Sequence, residues 1–193
     1  MQSESFMTLL YNNLMLKIVT VPANVLTQPT RPVVEIDKNI KKIISDMEKV
    51  LIAQDDPPGV GLAANQVGLD LSIFIIKPTE KAKTKVFINP KIISRTDLLK
   101  AKNKKVRPSK KVKLEGCLSI PRIWGPVKRR NRVFLKYQDL NGREYLKWFT
   151  GFEAVIIQHE IDHLNGVVFT QRSIEQKGQL FREENDELVK IEY

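Results

Sequence analysis

TGFEAVIIQHEIDHLNG, residues 150–166, contains both histidines of this 193-residue chain. His159 and His163 stand four apart, with Glu160 directly after the first. On an α-helix, residues i and i+4 share one face, a turn apart. Two imidazoles so placed can grip one metal ion, and a neighbouring glutamate can hold a water and take its proton. The flanks favour a helix. Thr150, Gly151, Phe152 and Glu153 read as a capping box, in which the threonine hydroxyl caps a free backbone N–H and the glutamate reaches back. Phe152, Val155, Ile156 and His159 recur at helical spacing, and Gly166 can take the left-handed conformation that ends a helix. These signals predict a helix over about 151–165. A histidine pair on a helix also occurs as ordinary polar surface. A catalytic zinc-type site wants three protein ligands and an open position, so the third ligand decides what this stretch does.

The rest of the composition bounds the answer. The chain suits one domain with a real core, at 42% hydrophobic and 28% charged residues. No apolar run reaches transmembrane length. The opening MQSESFMTLLYNNLMLKIVTV lacks a basic n-region and a small-residue cleavage site, and is poor in arginine. The single cysteine, Cys117, excludes an intramolecular disulfide and fits a reducing cytoplasm. The formal charge of +10 favours polyanionic surroundings such as nucleic acid or ribosomes. Between Lys81 and Lys113 the only acid is Asp97, and KAKNKKVRPSKKVK (100–113) is the densest part. Residues 98–113 read as an exposed basic loop, either solubilising or touching RNA. No aromatic residue interleaves these charges, which leaves single-strand base stacking unsupported.

Along the chain, residues 1–14 read as a loosely held leader, with Met15 a candidate start. LKIVTVPANVLTQPTRPV (16–33) is a short extended stretch and then proline-broken loop. NIKKIISDMEKVLIAQD (39–55) places Ile40, Ile43, Ile44, Met47, Val50 and Leu51 on one face of a helix, which DDPPG stops. LSIFIIK (71–77) and KVFINPKII (85–93) read as strands. RVFLKYQDLNGREYLKWF (132–149) reads as a hairpin turning at Asn141-Gly142 in type I′ geometry. After VVFTQ (167–171), QLFREENDELVKIEY (179–193) reads as two short strands around Glu184-Asn185-Asp186. The order predicts an α+β fold with mainly antiparallel sheet, in one domain over 15–193.

Two further segments carry chemistry. In LEGCLSIP (114–121), Gly116 and Pro121 break regular structure around Cys117 and can expose its sulfur. In GVGLAANQVG (59–68), Gly59 and Gly61 let the backbone approach a ligand, and Gln66 offers an amide donor. Taken alone, Cys117 is equally a small buried hydrophobe. Taken together, GVGLAANQ, EGCLS and QHEIDH, in that order, resemble the three signature motifs of peptide deformylases, over roughly Met15 to Thr170.

The resemblance implies antiparallel sheets around a central helix that carries the two histidines. It implies Cys117, His159 and His163 as metal ligands, Glu160 as the catalytic acid/base, and Gln66 with the backbone N–H of Leu118 as the oxyanion hole. The implied reaction removes the formyl group from formylmethionine at the start of newly made polypeptides. The implied cofactor is one divalent metal ion, Fe(II) in the cell, with Zn(II) or Ni(II) possible in preparations. Phe152, Val155 and Ile156 precede His159 by seven, four and three residues, which positions them to line a pocket for the methionine side chain. Backbone at Val60 and Gly61 can pair with an extended peptide. Arg129 matches a position that pairs with the acid at Asp162. Trp124 departs from relatives that carry a substrate-contacting arginine about there, and Arg122 nearby is an alternative for that contact. The partners expected are N-formylmethionyl nascent peptides and, transiently, the ribosome surface. Sequence-specific nucleic acid and membrane are not expected, and the chain is expected to be a monomer or weak dimer.

Two other readings compete. In an H-E-x-x-H zinc metallopeptidase, Glu183, Glu184 or Glu187 would supply the third ligand and Cys117 would be core. In a basic RNA- or ribosome-binding protein the metal site would be structural, a role that needs no base at Glu160.

Overall fold

The computed structural model describes residues 15–56, 58–93 and 114–192. The leader 1–14 and the whole of the basic loop 98–113 lie outside the described residues. Helix α1 (Lys38–Ile52) comes first. Strands β1 (Gly61–Ala63), β2 (Ile73–Ile76) and β3 (Lys85–Ile92) follow, then β4 (Leu114–Cys117) and β5 (Ile120–Pro126). A hairpin of β6 (Arg132–Gln138) and β7 (Glu144–Thr150) leads into α2 (Gly151–Leu164), then α3 (Phe169–Glu175), β8 (Phe181–Glu184) and β9 (Glu187–Lys190). The order β1-β2-β3-β6-β7 makes one sheet and β4-β5-β8-β9 a second, with every paired neighbour antiparallel. The α+β class with antiparallel sheet is as expected from the order of elements.

The five-stranded sheet is covered on both faces, which explains the unbroken run Ile73-Phe74-Ile75-Ile76. Successive side chains of a strand point to opposite faces. Ile73 and Ile75 pack with Ile40, Ile44, Met47 and Leu51 of α1. Phe74 and Ile76 pack with Phe87, Val133, Leu135 and Phe149, and with Ala154, Ile156 and Ile157 of α2. A run with no polar alternation is what a strand buried on both sides requires. A third cluster of Ile120, Val127, Phe169 and Leu180 joins the second sheet to α3.

Helix α1 starts at Asp37, whose Oδ1 accepts the Ile40 N–H at 2.9 Å. Helix α2 matches the predicted span, but the capping box does not form. Thr150 is the N-cap residue with extended backbone and makes no side-chain cap hydrogen bond. Glu153 instead accepts from Lys85 Nζ at 2.5 Å. The helix is held by packing of its apolar side, and its end is set by Gly166 at φ 72°. A Cβ at Gly166 would stand 2.7 Å from the backbone of Thr27.

The turns differ from expectation in an instructive way. The β6–β7 loop spans residues 139–143, because Gln138 pairs with Glu144. Of Asn141-Gly142 only Gly142 has positive φ, at 75°, so the turn is not type I′. Asp139 organises the loop by accepting the N–H groups of Asn141 and Arg143 on Oδ1. The two-residue turn with both φ positive is Asn185-Asp186, at 50° and 64°, between β8 and β9. Helix α3, covering Phe169–Glu175, adds an element the sequence reading does not contain.

Candidate active site

Cys117 ends β4, and His159 and His163 lie on α2. Their ligand atoms all fall within 4.8 Å of one another, with Cys117 Sγ 3.1 Å from His163 Nε2. Among the described residues this is the group of histidines, cysteine and acids that can hold a metal ion. The downstream glutamates stay out of it, and Glu183 is engaged by Trp124. Burial alone would raise the Cys117 thiol and lower the His159 imidazole. The attraction between sulfur and the two rings outweighs it, so the thiol sits well below its usual range and His159 well above. A sulfur held toward thiolate is the form that ligates metal. The donor set, one soft thiolate and two imidazoles, fits a divalent transition ion.

Glu160 is 2% exposed, and its Oε2 has no hydrogen-bond partner among the described residues. Burial chiefly, and secondarily the Cys117 charge, pushes its carboxyl up to about 7 against the pull of the two histidines and Arg129. A cation at the ligand cluster would draw it back down. The expected reason for Gly61 changes here. A Cβ at Gly61 would collide with Glu160 Oε1 and stand 2.7 Å from Ile156 Cγ2. The glycine makes room for the carboxyl of Glu160 as well as for any ligand.

Gln66 lies in a 3-10 turn (Ala64–Val67) directly after β1 and is buried. Its Oε1 accepts the Ala63 N–H at 2.8 Å, which turns Nε2 toward Cys117 Sγ and Ser119 Oγ, both at 3.4 Å. A cavity of about 730 Å³ opens over these groups. It brings together Val60, Gly61, Gln66, Cys117, Leu118, Phe152, Val155, Ile156, His159 and Glu160, as the sequence reading groups them. Phe152 is 51% exposed at the rim, whereas Ile156 is buried. Trp124 lines the cavity and Arg122 does not.

Glu115 is the residue sequence reasoning missed. It stands two before Cys117 on β4, and its carboxylate, like the Cys117 sulfur, reaches a histidine of α2. Its Oε2 contacts His159 Nδ1 at 3.0 Å, which leaves Nε2 of that ring for the ligand cluster. Arg129 grips both oxygens of Glu115 at 2.9 Å and reaches Asp162 at 2.5 Å. Arg172 also donates to Asp162, at 2.9 Å. Burial would raise Glu115, but the Arg129 hydrogen bonds, with those of His159, hold it at about 2. The Asp162–Arg129 pair expected from sequence is therefore present, and it is buried, linked through Glu115 to His159.

Known proteins agree with this geometry. The sequence profile of the polypeptide deformylase family matches residues 15–179. A peptide deformylase of Maricaulis maris is 35% identical over 79% of this chain and 82% of its own length. Peptide deformylase 1 of Bacillus cereus is 36% identical over 81% and 91%. The crystal structure of the Thermotoga maritima enzyme superposes with a TM-score of 0.69 at 33% identity, covering 83% of this chain and 98% of that one. A profile spanning most of the chain, with the Cys-His-His cluster formed where the motifs require it, shows that this chain belongs to the polypeptide deformylase family, metal-dependent hydrolases that remove formyl groups.

Proposed function

We propose that this chain removes the N-formyl group from formylmethionine at the start of newly made polypeptides. Residues 15–193 act as one catalytic domain, with α2 as the central helix carrying the metal motif. The observation that supports this best is the convergence of Cys117, His159 and His163 beside the buried, unpartnered carboxyl of Glu160 at one cavity.

A divalent cation held by those three residues supplies Lewis-acid activation of water at neutral pH. We assign Fe(II) in the cell, with Zn(II) or Ni(II) acceptable to the same donors. Glu160 takes the proton of the attacking water and returns it to the leaving amine. The Gln66 amide and the Leu118 N–H donate to the formyl oxygen as its charge develops. Phe152, Val155 and Ile156 receive the methionine side chain. The Val60–Gly61 backbone pairs with the extended substrate, which reads main chain and admits many sequences. Glu115 acts through His159 by fixing the ring's orientation.

The test is turnover of formyl-Met-Ala with and without a chelator. Turnover is expected to vanish on chelation and return with Fe(II) or Ni(II). Cys117→Ala is expected to lose tight metal binding. Unchanged metal content in that variant would point back to the metallopeptidase reading.

A cytoplasmic, monomeric or weakly dimeric enzyme that meets nascent chains at the ribosome completes the proposal. Among the described residues no helix is long and apolar enough to cross a membrane. The basic loop is the candidate ribosome contact, since ribosomal surface is rich in phosphate. Reversing Lys104, Lys105, Lys110 and Lys111 to glutamate is expected to weaken ribosome co-sedimentation and flatten its salt dependence. Cleavage of a short neutral peptide should hardly change. Equal co-sedimentation of both proteins across salt concentrations would reduce the loop to a solubilising surface.

A further inference from the structure

An imidazole that ligates a metal through one nitrogen carries its proton on the other, and that second N–H needs an acceptor. His159 has one, because its Nδ1 faces Glu115 Oε2 at 3.0 Å. His163 turns its Nε2 to the ligand cluster, 3.1 Å from Cys117 Sγ, so on ligation its proton belongs on Nδ1. That Nδ1 is buried and has no hydrogen-bond partner among the described residues. A buried N–H left unpaired costs free energy, and the ligand set is incomplete until the ring finds an acceptor.

The acceptor stands on Asn65, fully buried in the 3-10 turn (Ala64–Val67) that also carries Gln66. Asn65 Nδ2 donates to the backbone oxygen of His163 at 2.5 Å and to that of Val25 at 3.3 Å. Two carbonyl oxygens around one terminal atom identify that atom as the nitrogen, since an oxygen there would face both of them. The other terminal atom is therefore Oδ1, and it too is buried with no partner among the described residues. The two unpaired atoms belong to residues already in contact. One is an acceptor, and the other becomes a donor when the metal binds. They do not pair directly in this structure, so one buried water, accepting from Nδ1–H and donating to Oδ1, completes both.

We propose that Asn65 is a positioning residue for the metal centre. Through that water its Oδ1 holds the Nδ1–H of His163 and aims Nε2 at the ion. Asn65 does for His163 what Glu115 does for His159, with a neutral amide in place of a carboxylate. A neutral acceptor orients the ring without burying another negative charge beside the Cys117 sulfur and Glu160. The proposal deepens the metal site of the deformylase reading and rests on it.

The test measures Zn(II) affinity by chelator competition, and the ring N–H groups of the Zn(II)-loaded protein by heteronuclear NMR of labelled histidine. With two histidines in the chain, Glu115→Gln identifies the His159 signal by shifting it, and the other belongs to His163. In the wild type the His163 Nδ1–H is expected downfield, among hydrogen-bonded imidazole protons. Asn65→Leu keeps the volume and removes the amide. It is expected to raise the Kd for Zn(II) about 10–100-fold and to move the His163 signal upfield, leaving the His159 signal in place. Asn65→Asp should restore both. Its buried carboxyl faces two carbonyl oxygens, so it stays protonated on the atom that replaces Nδ2 and keeps Oδ1 as acceptor. A Kd unchanged in Asn65→Leu overturns the proposal, as does an unmoved His163 signal. A loss of affinity that Asn65→Asp fails to restore also overturns it, and makes Asn65 a packing residue. If Asn65→Leu does not fold, the wild-type spectrum decides, because a His163 Nδ1–H resonating with unbonded imidazole protons overturns the proposal. In each of those cases the wild type still binds Zn(II) and the deformylase reading stands. A wild type that binds no Zn(II) overturns that reading, and the proposal with it.

Discussion

Glu160→Gln is expected to retain its metal and lose turnover by about 10²–10⁴, the usual contribution of a positioned acid/base group. Glutamine keeps the shape of the buried side chain, and the room left by Gly61 accommodates it. The substitution removes the ability to take a proton. Metal content measured beside kcat on formyl-Met-Ala separates the two roles. A variant that keeps its metal and its rate to within about tenfold would sink the assignment of Glu160 as the base. Loss of metal together with rate would instead mean that Glu160 helps assemble the ligand cluster.

The second large effect is on stability. Arg129→Met is expected to cost about 3–5 kcal/mol, because it leaves the buried carboxylates of Glu115 and Asp162 short of their shared cation. All three side chains are nearly inaccessible, so solvent screening offers little relief. For a chain of this size the loss corresponds to a melting temperature lower by roughly 6–20 °C. Arg129→Lys keeps the charge but cannot form the fork to Glu115, and should fall between the two. The pH dependence has a definite sign. The carboxyl of Glu115 lies at about 2 in the folded protein, below its ordinary 4.5. Its contribution to stability is therefore fully present above about pH 4.5 and is lost as pH falls toward 2. The penalty of Arg129→Met should accordingly shrink in acid, where the stranded Glu115 carboxylate takes up a proton. Thermal melts of both proteins between pH 7 and pH 4 check this. A penalty below about 1 kcal/mol at neutral pH would show that Arg172 alone satisfies Asp162 and that Glu115 finds another donor.

The Arg129 network also links stability to the site. Glu115 sits between Arg129 and His159, so a change made far from the ligand histidine in sequence reaches its ring in two contacts. Misorientation of that ring should appear as weakened metal affinity in Arg129→Met, in addition to the lower melting temperature.

What the sequence determined by itself was mostly short-range. A helix of 3.6 residues per turn brings His159, Glu160 and His163 to one region whatever surrounds them. The amphipathic pattern of 39–55 sets α1, and apolar runs of strand length set β2 and β3. The motif resemblance then supplied Cys117 and Gln66, which no local period links to the histidines. Where the reading missed, the deciding contact was made sometimes by residues far apart in the chain and sometimes by a close neighbour. Thr150 had the right chemistry for a cap, but Glu153 found Lys85, 68 positions away. Asn141-Gly142 carried a strong turn signal, yet Asp139 and the strand register imposed a wider loop. The type I′ turn fell at Asn185-Asp186, where a two-residue connection between β8 and β9 takes both φ positive. The role of Glu115 was invisible for the first of these reasons. A glutamate on a strand becomes an orienting group only when folding places Arg129 and His159 against its carboxylate. Local periodicity depends on neighbours the sequence displays, whereas a buried carboxylate depends on partners that only the closed fold brings within hydrogen-bonding distance.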